Sequence, residues 1–217
     1  MNRWLPADRG AQGPRGRWAV VMGLTLARIP LAAAFASVLL TGGNRAGESV
    51  NAYRWGALAM LALIELTDGL DGFLARRWQV PSKLGAIADP YADSVSRLTV
   101  YWALAAAGLT SGVLPLVMAV RDITVAYCRL VWVDANLSPG ALLSGKLKAV
   151  AQGVGAFTLL LGPMFVPSWD WLGPLTTWFV GLATLASLIA YVGRTAPLLR
   201  RPPHSQATSS AESAVKS

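Results

Sequence analysis

Four aspartates, Asp68, Asp71, Asp89 and Asp93, stand in the segment LTDGLDGFLARRWQVPSKLGAIADPYADSVSR, residues 66–97, with apolar runs on either side. A charge in or beside a membrane span is costly, so such residues point to function. Asp68, Asp71, Gly72, Ala75 and Arg76 recur at i, i+3, i+4, i+7 and i+8, which is one face of a helix. Gly85, Asp89 and Asp93 recur at i, i+4 and i+8 and share a second face. A break at QVPSK, residues 79–83, lets the second helix fold back on the first, so that four carboxylates converge at one end of two adjacent helices. Clustered carboxylates repel unless cations neutralise them. Oxygen ligands without nearby His or Cys suit hard ions such as Mg²⁺ or Mn²⁺. Two such ions would clamp a pyrophosphate between an attacking and a leaving oxygen. Gly72 and Gly85 leave room for a ligand against the backbone, and Arg76 offers a fork to phosphate oxygens. The competing structural reading is a set of helix-end carboxylates paired with Arg76, Arg77 and Lys83. Four aspartates on two matched faces weigh against it.

The elements that must position these residues are read from hydropathy. The chain has 217 residues, 54% hydrophobic and 14% charged, against about 25% charged in soluble domains. Its mean hydropathy is +0.46. Six apolar stretches, at about 19–41, 52–67, 94–112, 113–133, 148–167 and 172–193, approach the length of a membrane-crossing helix. These predict an all-α integral membrane protein with six transmembrane helices in one domain, residues 18–195. Residues 1–17 read as a cytoplasmic N-terminal tail without the features of a signal peptide, and 196–217 as a polar, disordered C-terminal tail. Lys and Arg concentrate in both tails and in the second-to-third and fourth-to-fifth connections, whereas the first loop holds only Arg45 and Arg54. The positive-inside rule then puts both termini and the aspartates in the cytoplasm. The net charge of +8 therefore reads as topology and headgroup attraction, not nucleic-acid binding. The single His204 in a polar tail argues against histidine-based catalysis, and the single Cys128 excludes an internal disulfide. Most tryptophans, Trp132 and Trp169 among them, read as an aromatic belt at span ends.

The pattern Asp68-x-x-Asp71-Gly72-x-x-Ala75-Arg76, followed by eight residues and Gly85-x-x-x-Asp89-x-x-x-Asp93, resembles the complete signature of the CDP-alcohol phosphotransferases. The resemblance implies a six-helix membrane fold, usually homodimeric, that joins the phosphoryl-bearing part of a CDP-linked alcohol to an acceptor hydroxyl and displaces CMP. It implies that Asp68, Asp71 and Asp89 are metal ligands and that Asp93 is both ligand and base. Gly72, Ala75, Arg76, Ser82 and Gly85 match the positions that serve the CDP-alcohol. GLTLARIP (23–30), VRDITVAYCRL (120–130) and SGKLKAVAQG (144–153) further resemble phosphatidylglycerophosphate synthases. That points to CDP-diacylglycerol as donor and glycerol 3-phosphate as acceptor; the short loops and the absence of a cleavable signal fit a bacterial inner membrane, with the site facing the cytoplasm by the positive-inside rule.

Arg28 lies within an apolar run and must face a polar cavity or the interface. Arg121 and Arg129, eight apart on one helical face, and Lys146 read as contacts to an anionic acceptor. Lys148, Arg194 and Arg200 read as positive-inside anchors. Two departures bear on the acceptor. Ser94 stands where related synthases carry a lysine, and Asp122 where they tend to carry Glu. Arg97, one turn on, is a candidate replacement for the lost cation. Competing readings keep the chemistry with inositol phosphate or another small alcohol, or make the protein a cation transporter or channel, or a catalytically dead scaffold.

Overall fold

The computed structural model describes residues 15–43, 48–78, 83–135, 137, 142–166 and 169–199. Six helices account for nearly all of them: α1 (Arg15–Gly43), α2 (Glu48–Trp78), α3 (Lys83–Ala106), α4 (Val113–Asp134), α5 (Leu143–Phe165) and α6 (Trp169–Leu199). The inner ends of the two expected tails are thus helical, and the rest of both tails, with the segment 79–82 that includes Ser82, lies outside the described residues. Two helices depart from the apolar stretches. α2 runs beyond residue 67 to Trp78, and α3 begins at Lys83 and contains Pro90, where the apolar run begins near 94. The backbone bonds of a helix do not stop where hydropathy falls, so Asp68, Asp71 and Asp89 sit on continuous helix rather than in connections. α3 stops early because Gly108 takes a left-handed φ of 72°. Leu109 N–H donates to Leu104 O at 2.9 Å and Gly108 N–H to Ala105 O at 3.0 Å, the two bonds that close a helix end around a left-handed residue.

Three helices are long and apolar enough to cross a membrane, Gly16–Gly42, Leu143–Phe165 and Trp169–Leu199. α2, α3 and α4 carry Asp, Glu or Arg within their lengths. α6 shows how the bundle is turned relative to an ordinary soluble protein. Gly173, Thr184, Ser187 and Thr195 are buried, while Leu175, Trp178, Phe179, Leu182 and Ile189 are exposed. Small and hydroxyl residues at helix contacts with large apolar side chains outside is the arrangement expected where lipid is the solvent.

α1 packs along both α2 and α3, which touch each other only sparingly. Its inward face is set by Met22, Thr25, Arg28, Ala32, Phe35 and Leu39, at helical spacing and all buried. The expected direct folding of the second helix on the third is therefore mediated by α1. α6 packs against α4 and α5 to form a second trio. A shared core of Phe35, Leu61, Leu104, Met118, Leu160 and Val180 joins the trios. Burying a side chain of this size contributes roughly 1.5–3 kcal/mol against water, and less against lipid.

Candidate active site

One polar centre forms where α1, α2 and α3 meet. Arg28, 1% exposed, is its hub. Its guanidinium donates to Asp68, to Asp71 Oδ2 at 2.8 Å and to Asp89 Oδ1 at 2.6 Å. Thr25, one turn earlier, donates its hydroxyl to the same Asp71 Oδ2 at 2.7 Å. Asp71 is buried, whereas the side chains of Asp68 and Asp89 are 38% and 60% exposed, so the centre opens on their side. Carboxylate oxygens of Asp68, Asp71 and Asp89 lie within 4.8 Å of one another. Oxygen-only donors at this spacing fit a hard divalent cation.

Asp93 lies one turn along α3 and belongs to a second set of bonds. Its Oδ1 accepts from Arg97 Nε at 2.7 Å. Arg97 also donates through Nη1 to Glu65 Oε1 at 3.2 Å, and weakly to Ala149 O of α5 at 3.5 Å. Five carboxylates thus face two guanidiniums, an excess of three negative charges. Of the five only Asp71 is buried, so the excess acts mainly through repulsion between crowded like charges. Added cations are the direct way to balance such a centre.

The other polar centre lies between α4, α5 and α6. Arg121 Nη1 donates to Asp122 Oδ1 at 2.8 Å and Nη2 to Ser187 Oγ at 2.7 Å. Lys148 Nζ donates to the same Asp122 Oδ1 at 3.1 Å. Arg121 and Arg129 lie over the ring of Tyr191, with Cζ atoms 5.3 Å and 6.0 Å from its centroid. Both arginines keep a buried Nε without a partner among the described residues.

The residues singled out from the sequence are thus distributed over two centres. Asp68, Asp71 and Asp89 are brought together, and Asp93 stands beside them on Arg97. Gly72 and Arg76 are neighbours: a Cβ on Gly72 would lie 3.5 Å from Arg76 Nη1, and Arg76 is exposed. Ala75 and Gly85 are partly buried on α2 and α3. Lys146 is exposed in the first turn of α5. Three readings need correction. Lys148 is not a surface anchor: it is 3% exposed and bonded to Asp122, because a buried acid on α4 attracts it inward. Trp132, in the last turn of α4, does not face outward as a belt residue would: it is fully buried and stacks on Tyr191 at 5.3 Å. Arg97 is not a free replacement cation, being held by Asp93 and Glu65. The hub role of Arg28, and the parts of Glu65 and Tyr191, went unread. Glu65 had a signal, standing one turn before Asp68. Tyr191 is an aromatic residue in an apolar run and had none.

An all-helical protein with membrane-length helices and an acidic centre fit for hard cations is the setting for metal-assisted chemistry on phosphates. Comparison with known proteins makes the assignment. A family model described as CDP-alcohol phosphatidyltransferase matches residues 18–193, and the chain belongs to that family of enzymes. It is 28% identical over 155 residues to a CDP-diacylglycerol–glycerol-3-phosphate 3-phosphatidyltransferase of Treponema pallidum, covering 67% of this chain and 72% of the relative. It is 32% identical over 146 residues to a protein of Mycobacterium tuberculosis named as a probable phosphatidylglycerophosphate synthase, covering 66% and 68%. A rat cardiolipin synthase (CMP-forming) is 34% identical over 122 residues, covering 56% of this chain and 37% of the relative. Phosphatidyl transfer in a membrane setting is thereby the general activity, and the transporter and scaffold readings lose their support.

Proposed function

We propose that the protein transfers the phosphatidyl group of CDP-diacylglycerol to the hydroxyl of glycerol 3-phosphate, releasing CMP and forming phosphatidylglycerol phosphate. The observation that carries the acceptor choice is the basic centre, where Arg121 and Lys148 share one carboxylate, Asp122, and Arg129 stands over the Tyr191 ring beside them. A neutral alcohol would give those cations nothing to bind. The names of the Treponema and Mycobacterium relatives point the same way.

In this reading Asp68, Asp71, Asp89 and Asp93 would hold two Mg²⁺ or Mn²⁺ ions, which when bound neutralise the diphosphate and the departing CMP. Arg76, exposed beside the bare backbone of Gly72, holds a phosphate oxygen of the nucleotide. Gly85, Ala75 and Ser82 border the same nucleotide. Asp93 takes the proton of the acceptor hydroxyl. The acceptor oxygen bonds to the phosphorus that carries diacylglycerol as the bond from that phosphorus to CMP breaks. Arg97 sets the direction of the Asp93 carboxylate through the 2.7 Å bond. Arg121, Arg129 and Lys146 draw in the acceptor's phosphate.

All six helices cross the membrane in this account, with both termini and the acidic centre on the cytoplasmic side of a bacterial inner membrane. Its support is that Asp71, Arg97, Arg121 and Asp122, four of the charges that lower the hydropathy of α2, α3 and α4, are buried within the bundle rather than presented to lipid. A homodimer is part of the same proposal.

The test is CMP release by the purified protein in detergent with CDP-diacylglycerol, Mg²⁺ or Mn²⁺, and a panel of acceptors. Release that requires glycerol 3-phosphate and disappears in Asp93→Asn supports the proposal. Metal-dependent release with inositol phosphate or a neutral alcohol instead would keep the chemistry and discard the acceptor, with Ser94 the first residue to suspect.

A further inference from the structure

Four of the five buried or half-buried arginine or lysine side chains at the two centres have a carboxylate partner. Arg28 has three, Arg97 two, and Arg121 and Lys148 share Asp122. Arg129 has no carboxylate partner among the described residues, and its Nε is buried without a hydrogen bond. What it has is the ring of Tyr191, 6.0 Å from its Cζ, which also carries Arg121 at 5.3 Å. Two guanidiniums at one ring repel each other, and the ring's negative face only partly offsets this.

The ring itself is fixed. Tyr191 is fully buried. It stacks on Trp132 with an interplanar angle of 7°, and Trp132 donates Nε1–H to Thr195 Oγ1 at 2.8 Å. The Tyr191 hydroxyl accepts Leu142 N–H at 3.1 Å, at the start of α5. That first turn comes close: a Cβ on Gly145 would lie 3.1 Å from the Tyr191 hydroxyl and 3.6 Å from Arg121 Nη2. Ser144, in the same turn, has a buried hydroxyl without a partner. Arg121 has spent both Nη groups on Asp122 and Ser187, so Arg129 is the guanidinium left for a ligand.

We propose that Tyr191 is a positioning residue: its ring holds Arg129 unpaired and in place for the anionic end of the acceptor, a phosphate monoester, without touching the acceptor itself. This rests on the reading of the basic centre as the acceptor's phosphate site. It adds that affinity for the anion is set from α6 by an uncharged residue. The ring matters through its face and the hydroxyl through one bond to α5, so the two parts are separable.

Binding of inorganic phosphate and of glycerol 3-phosphate to the full-length protein in detergent, measured by calorimetry, tests the proposal. CDP-diacylglycerol affinity and the thermal midpoint serve as checks on folding. Tyr191→Phe keeps the ring and should bind both anions within about threefold of wild type. Tyr191→Leu removes the ring and should weaken both by about tenfold, between the sizes of an exposed and a desolvated cation–π contact, with CDP-diacylglycerol affinity unchanged. Should the Leu variant not fold, Tyr191→Met carries the same expectation, and Arg129→Gln, which keeps the ring, should weaken phosphate binding by about 10- to 100-fold. Equal affinities for wild type and Tyr191→Leu, equal losses in the Phe and Leu variants, or a wild type that binds neither anion would overturn the proposal. Phosphate binding that depends on the ring, in a protein that does not use glycerol 3-phosphate in CMP release, would uphold it while discarding the acceptor named above.

Discussion

At the acidic centre a buried arginine answers three carboxylates; at the basic centre a buried aspartate answers Arg121 and Lys148 and leaves Arg129 with none. Each centre is thus unbalanced, in opposite senses, and each is built by a different trio of helices. Crowded like charges repel, and the buried ions among them, Asp71, Arg121 and Lys148, also lose hydration. The imbalance makes sense if ligands complete it, with cations and a diphosphate on one side and an anionic acceptor on the other. The centres meet where Arg97 of α3 reaches the carbonyl of Ala149, next to Lys148 on α5. A hydroxyl bound through its phosphate at the basic centre would come to Asp93 by that route.

The comparison can be broken at several points. The largest effect is expected from removing divalent ions. Chelation should reduce CMP release to background, and Mg²⁺ or Mn²⁺ should restore it; activity that survives exhaustive chelation would remove the reason for the acidic excess. Next is Asp122→Ala, which leaves Arg121 and Lys148 buried without their carboxylate. It should cost roughly 3–5 kcal/mol of stability, seen as a lowered thermal midpoint in detergent. An unchanged midpoint would mean that water or lipid already screens that pair. A smaller effect is expected at Arg97. Because it is committed to Asp93 and Glu65, Arg97→Ala should lower kcat by about tenfold, as expected for losing a hydrogen bond to a charged group, and leave the acceptor KM alone. A raised acceptor KM with kcat intact would return Arg97 to the acceptor pocket.

Much of the acidic centre was legible in the sequence. Charged residues among apolar runs have no bland use, and helical spacing grouped Asp68 with Asp71 and Asp89 with Asp93. What could not be read was their division: spacing within α3 aligns Asp89 and Asp93, but Arg28 draws the first and Arg97 the second. Arg97 meets Asp93 by i,i+4 spacing on α3 itself, whereas Arg28 reaches Asp89 only through tertiary packing, since α1 packs along both α2 and α3. Lys148 was misread for a similar reason. Counting positive charges by connection gives topology, and cannot reveal that an acid two turns into α4 has drawn one of them into the bundle. The helix limits of α2 and α3 were missed because hydropathy follows the solvent, while the helix follows its backbone hydrogen bonds. Tyr191 illustrates the hardest case, an aromatic residue in an apolar helix whose importance lies wholly in what two distant arginines do around it.

The most direct test of this division of labour is the initial rate of CMP release against glycerol 3-phosphate concentration for Arg129→Ala beside wild type, at saturating CDP-diacylglycerol. The acceptor KM should rise by about 10- to 100-fold, the cost of losing a charge-assisted bond to phosphate, with kcat approached at high acceptor. An unchanged KM, or a fall in kcat alone, would contradict it.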